Sequence, residues 1–393
     1  MRAFLGGLGL LGGILVAADL PAPKFRAVNV DTNITIGYGL AIADVDGDRR
    51  PDIVLCDKAQ VAWYRNPGWE KFVIAEKLTE LDHVCVAAAD VDGDGKAEIA
   101  VGAGWNPGDT VNSGAVFYLI PPFDRTQKWE PVKLPHEPTV HRMRWVQMGV
   151  GKYSLVVVPL HGRGNNALKG EGEAVKILSY EKPANPRDPW TVTPLSQPNW
   201  PALHKTHNLD PGLKSASGSD GLAIASKEGL FFLPGGSSGP LVLVGTNGIG
   251  GAGEIRIGRL SGQSAFFAAV EPMHGNTLAV YTKSSRTEGL RSRQVIDESL
   301  IDGHALACGD LLGLGRDQIV VGWRAMNRPG ATVGIRLYTP IDTAGTEWRM
   351  TPVDDNTMAC EDLALADLNG DGRLDIIAAG RATRNVKVWF NER

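Results

Sequence analysis

Cysteine is scarce in this chain: four in 393 residues, too few for a disulfide framework. No Cys-x-x-Cys pair supports a zinc site, and no Gly-x-Ser-x-Gly elbow supports a serine nucleophile. An excess of charge of one sign is missing too. Forty Lys and Arg stand against 44 Asp and Glu, a formal net charge of −4, so no global field draws nucleic acid or anionic membrane. No linker, low-complexity tract or helical period divides the chain. Past the N-terminus no apolar run approaches ~18 residues, which excludes a membrane span in the mature chain. Glycine (48) and proline (24) are abundant instead, and they point to many turns. An apolar content of 43% with 21% charged residues excludes an intrinsically disordered chain.

Arg2 precedes an apolar, Gly-rich run from Ala3 to Ala18 that ends at Asp19, and Val16-Ala17-Ala18 offers small residues for cleavage. This reads as a secretory signal over 1–18. The remaining 19–393 is expected to act in the periplasm or outside the cell, where calcium is plentiful.

Three segments are near copies: DVDGDRRPDIVL from Asp44, DVDGDGKAEIAVG from Asp90 and DLNGDGRLDIIAAG from Asp367. A fourth, DLLGLGRDQIVVG from Asp310, keeps the frame without the acids. Each lies between a small apolar strand and a β-branched one, so the unit is strand, acidic turn, strand. The spacings are 46 residues (Asp44 to Asp90) and 57 (Asp310 to Asp367), and the intervening 220 divide into four steps of 55. Weak copies begin at Met143 and Ile255, and the segment from Ser219 is assigned to a unit between them that has no clear copy of the turn. Seven such units predict an all-β, seven-bladed β-propeller of four-stranded blades. The last unit supplies three strands, and the segment from Phe25 to Val30 has no partner. Pairing the two closes the ring and removes two exposed edges.

Asp44, Asp46, Asp48 and Asp52 occupy positions 1, 3, 5 and 9 of a loop. Asp90, Asp92, Asp94 and Glu98 do the same, as do Asp367, Asn369, Asp371 and Asp375. Alternate acids in a tight loop aim oxygens at one point, a donor set suited to Ca²⁺ as a structural brace. Gly95 and Gly372 fit the sharp turn at position 6, and Arg49 departs from it. The turn from Asp310 has Leu312 and Leu314 at ligand positions and is expected to bind nothing.

The DxDxDGxxD turn followed by a β-branched strand resembles the repeat of FG-GAP/VCBS proteins, which form seven-bladed propellers. The stretches from Glu271 (EPMHGNTLAVY) and Ala359 (ACEDLALADLNGDGRLDIIAAG) are similar to the propeller of the aldos-2-ulose dehydratase family and related bacterial secreted proteins. That resemblance implies metal-assisted dehydration of keto-sugars.

With the acidic turns at one face, the residues before each first strand and after each second strand ring the opposite mouth of the channel. Those positions hold His83, His141, His161, His204, His207, His274 and His304, with Trp105, Arg142, Arg163, Glu271, Trp323, Arg324, Glu361, Arg381 and Arg384. Imidazole serves as general base or metal ligand near neutral pH. Arg pairs with carboxylates and sugar hydroxyls, and Trp presents a flat face to a pyranose. His83, His141, His207, His274 and His304 are the candidate bases and ligands of a channel metal (Zn²⁺, Mg²⁺ or Ca²⁺), with Glu361 a further ligand. Arg142, Arg163 and Arg324 would orient oxygens. Two readings stand. One is a secreted carbohydrate lyase or dehydratase that removes a proton beside a carbonyl and expels a β-substituent from a keto-sugar, keto-glycoside or uronate. The other is a calcium-braced propeller that binds glycan or protein without chemistry.

Overall fold

The computed structural model describes residues 20–235, 239–246, 250–262, 264–283, 291–327 and 329–393; the leader expected over 1–18 lies outside them. Twenty-eight strands form seven four-stranded antiparallel sheets, and no helix occurs among the described residues. Blade 1 runs Gly39–Ala43, Asp52–Asp57, Gln60–Arg65 and Glu70–Glu76, each strand pairing with the next. The innermost strands of blades 2 to 7 are Cys85–Ala89, Val140–Gly149, Thr206–Gly212, Glu254–Arg259, Gly303–Gly309 and Cys360–Ala366. Each packs beside the innermost strand of the next blade, and Gly39–Ala43 returns to Cys360–Ala366. The result is a seven-bladed β-propeller.

Alternation along each strand lets one blade serve two interfaces. In Asp52–Asp57, Val54 and Cys56 pack toward blade 2, while Ile53 and Leu55 pack toward blade 7. The buried apolar residues accordingly fall into seven clusters, one at each interface between blades. Cys56, Cys85 and Cys360 are buried and Cys308 half-buried, all as free thiols.

The predicted closure is present. Phe25–Asp31 pairs antiparallel with Val386–Asn391, Phe25 opposite Asn391 and Val28 opposite Val388, and becomes the outer strand of blade 7.

One feature of the innermost strands escapes any reading by spacing. In blades 3, 4, 6 and 7 the register between first and second strand slips by one residue. The slipped residues are His141, His207, His304 and Glu361. Blades 1, 2 and 5 keep a regular first pair. A bulge leaves its residue out of the ladder and re-aims its side chain.

Candidate functional site

The three bulge histidines share one geometry. Nδ1 of His141 donates to the His207 carbonyl at 2.9 Å, that of His207 to the Gly253 carbonyl at 2.8 Å, and that of His304 to the Glu361 carbonyl at 2.6 Å. A carbonyl can only accept, so Nδ1 carries the proton and Nε2 keeps a lone pair. At His141 that lone pair meets the Arg142 guanidinium at 3.2 Å. His274, in the left-handed region at φ 55°, reaches in from the loop after the second strand of blade 5. Its Nε2 stands 2.8 Å from His207 Nε2. One ring nitrogen from each of His207, His274 and His304 lies within 4.8 Å of the others.

Burial pushes His207 and His304 well below the ordinary imidazole range, with Arg142 and Arg324 repelling their protonated forms. Burial and His207 lower His274 in the same sense. Three neutral imidazoles with converging nitrogens are a donor set for a borderline transition metal rather than for a hard cation such as Ca²⁺. The surroundings fit that group. Glu254 Oε1 lies 3.3 Å from His207 Nδ1, and Asp302 Oδ1 lies 3.8 Å from His274 Nδ1. Both oxygens are buried without a hydrogen-bond partner. Carboxylates behind the outer nitrogens of metal-binding imidazoles fix tautomer and aim.

Arg324 ties this cluster to the rest of the rim. Its Nε donates to Asp302 at 3.0 Å, one terminal nitrogen donates to Glu361 Oε2 at 2.5 Å, and the other stands 3.5 Å from His274 Nδ1. Glu361, 3% exposed, also accepts from Arg381 at 3.0 Å. Beside the histidines opens a cavity of about 390 Å³, lined by Trp105, His141, His161, Lys205, His207 and His274 among others. Trp105 lies against His141, ring centroids 4.8 Å apart. His161 is buried, and burial with the nearby Lys205 lowers it to about 4.

Several expected residues have other occupations. His83 is fully buried, and its Nε2 accepts the Leu78 amide, so it braces a connection between blades and is not part of the cluster. Glu271 turns into its own blade, accepting from the Tyr281 hydroxyl and from Arg293 at 2.9 Å. Trp323 is buried between blades with Arg336 over its ring at 4.5 Å. Arg163 pairs with Glu137 and the Val111 carbonyl. His204 binds Glu228. Lys205 and Asp302 were not singled out from the sequence. Both flank a histidine closely, but nothing in a lysine or an aspartate marks which one faces a cavity.

At the opposite face, the acids of Asp44, Asp46 and Asp48 converge, as do those of Asp90, Asp92 and Asp94. The turns are internally bonded: Asp44 accepts the amides of Gly47 and Arg49, and Asp367 those of Gly370 and Gly372. Arg49 adopts the same left-handed φ, 69°, as Gly95 (84°) and Gly372 (80°), so the departure at position 6 does not change the turn. Position 9 also holds the backbone of the turn. Asp52, Glu98 and Asp375 are buried and accept the amides of Val45, Val91 and Leu368. They close the turn. Gln318 does the same for Leu312 in the turn from Asp310.

Residues 39–101 match the FG-GAP-like repeat and residues 86–119 the FG-GAP repeat. Over 385 residues the chain is 22% identical to aldos-2-ulose dehydratase of Phanerodontia chrysosporium, covering 88% of this chain and 40% of that protein. It thus spans less than half the length of that curated relative. Among solved structures it resembles a chain of the mitotic checkpoint complex (TM-score 0.58, 13% identity, 99% of this chain and 98% of that one). It also resembles a chain of the BBS1N–ARL6DN complex (TM-score 0.58, 12% identity, 94% and 97%). At such identities these two share the fold alone. The chain is a seven-bladed β-propeller carrying FG-GAP repeats, distantly similar to aldos-2-ulose dehydratase.

Proposed function

We propose that the bulge-bearing mouth is the active site of an exported, metal-dependent carbohydrate lyase or dehydratase. The carrying observation is the set of His207, His274 and His304, backed by Glu254 and Asp302, beside a cavity of about 390 Å³. A divalent cation held by these three imidazoles would supply Lewis-acid stabilisation of the negative charge that develops on the substrate oxygen. Trp105 presents a face to the sugar ring. His161, neutral and on the cavity wall, takes the proton from the carbon beside the carbonyl. The electron pair of that C–H bond forms the new double bond as the β-substituent leaves. The imidazolium returns its proton to the departing oxygen, so a dehydration yields an enone and water and restores the protein. Arg324, held by Asp302 and Glu361, fixes the rim around His274. The acidic turns, on the same proposal, hold Ca²⁺ far from the chemistry and brace the outer face.

The test is to incubate purified protein with keto-sugars, 3-keto-glycosides and uronate oligosaccharides and follow enone absorbance with and without chelator. Elimination that chelator stops and Zn²⁺ or Mn²⁺ restores is expected. His304→Ala should lower kcat at least ~100-fold with little loss of stability. His83→Ala should cost stability and spare kcat. Absence of product from every substrate class, with saccharide binding retained, would replace this reading with a binding propeller.

A further inference from the structure

The cavity beside the histidines has an unbalanced lining. None of its lining residues is Asp or Glu, and one, Lys205, is cationic. Lys205 is half-buried and held from several sides. Its carbonyl accepts the Lys227 amide at 2.8 Å, its backbone bridges His161, and its stem lies against Gly170, where an added Cβ would sit 3.2 Å from the Lys205 Cβ. Among the described residues no carboxylate pairs with its ammonium. Lys71 and Lys182, also part-buried, are paired with Asp31 at 2.9 Å and Asp92 at 3.4 Å. Glu228, which follows Lys227, is bound by the His204 imidazole and amide. Lys227 adds a second positive charge nearby, its own ammonium bound to the Lys169 and Gly170 carbonyls.

An ammonium withdrawn from water without a counter-ion is costly, and a ligand that brings the anion recovers that cost on binding. A neutral sugar would leave the cation as it is.

We propose that the cavity selects an acidic sugar, a hexuronate unit, whose carboxylate pairs with Lys205. This rests on the lyase reading for its consequence and not for its binding. In a hexuronate the acidic C–H lies beside the carboxylate, and the β-substituent is the glycosidic oxygen at C4. Transfer of the C5 proton to His161 and departure of that oxygen with the proton leaves an unsaturated uronate and a free hydroxyl on the released saccharide. No oxidant or second substrate is required. Lys205 is then a specificity-determining residue that neutralises the carboxylate.

The probe is a uronide disaccharide compared with its methyl ester, which keeps the shape and removes the charge. Titration calorimetry at low ionic strength should show the free acid binding about tenfold more tightly than the ester. Lys205→Gln should abolish that preference, and Lys205→Arg should keep part of it. Equal affinity for acid and ester, or a preference unchanged in Lys205→Gln, overturns the proposal, as does no binding of the acid at millimolar concentration. The wild-type comparison stands even if a variant folds poorly. Acid binding through Lys205 without unsaturated product sinks the lyase reading and leaves this one. Elimination from a neutral keto-sugar, indifferent to Lys205→Gln, does the reverse.

Discussion

His161 shows how one side chain makes the mouth sensitive to acid. Burial, and Lys205 after it, holds the imidazole at about 4 in the folded chain, against about 6.5 when unfolded. Between those values the unfolded chain takes the proton and the folded chain does not. Stability from this group is whole above pH ~6.5 and drains as pH falls toward 4, by about 3 kcal/mol at most. His207 and His304 are displaced in the same direction, by burial first, and also lose stability as pH falls below ~6.5. The urea midpoint measured at pH 7.5 and pH 5 should therefore drop on acidification, and His161→Phe should flatten the slope. An unchanged slope in that variant would show the imidazole to be solvated. That imidazoles gather at one mouth was legible in the sequence, because strand polarity alone decides which ends share a face. Which of them point inward was not. His83 and His304 occupy similar places in the repeat, yet His304 sits on a bulge and His83 accepts an amide in a connection.

The acidic turn is the best-read element, because its information is local. Five backbone amides and four side chains within nine residues decide it, and the spacing of the acids is visible in one dimension. The division of labour within it was not visible. Asp375 gives one oxygen to the Leu368 amide at 3.0 Å and the other to the Asn391 amide at 2.9 Å, both buried. Removing it strands two amides, so Asp375→Ala should cost about 2–4 kcal/mol in chelator, read as a shift in urea midpoint. Asp371→Asn sits at the exposed tip and should cost within about 0.5 kcal/mol under the same conditions. With Ca²⁺ added the order of effects changes: the wild type should gain thermal stability, and Asp371→Asn should gain less. Equal losses for the two variants in chelator would contradict the assignment of Asp375 as the turn's internal clamp. The bulges belong to the opposite case. They are a relation between two strands, and no single strand's sequence records the slip at His141, His207, His304 or Glu361.

The ring as a whole is held by seven similar apolar interfaces, and one blade is assembled from both ends of the described chain. The count of seven could be read from the recurrence of the acidic turn, and the closure from the shortage of a strand in the final unit. Blade 4 was the least legible, since its first hairpin lacks the alternating acids of the repeat and its Ser219 segment spans the second and third strands rather than the first pair. Deleting residues 20–31 should uncover the edge of Val386–Asn391 and withdraw Phe25 and Val30 from the flanking clusters. The thermal midpoint should fall by about 10 °C or more, with new dimers or larger species on size exclusion. A monomer of unchanged midpoint would mean that the ring closes without its outer strand.

The lean of each imidazole on the succeeding blade has a last consequence. His141 is steered by the backbone of blade 4, His207 by the approach to blade 5, and His304 by blade 7. No blade owns the direction of its own histidine. A blade transplanted singly into another propeller would carry the residue and lose its bearing, so chemistry at this rim can be inherited only by neighbouring blades together.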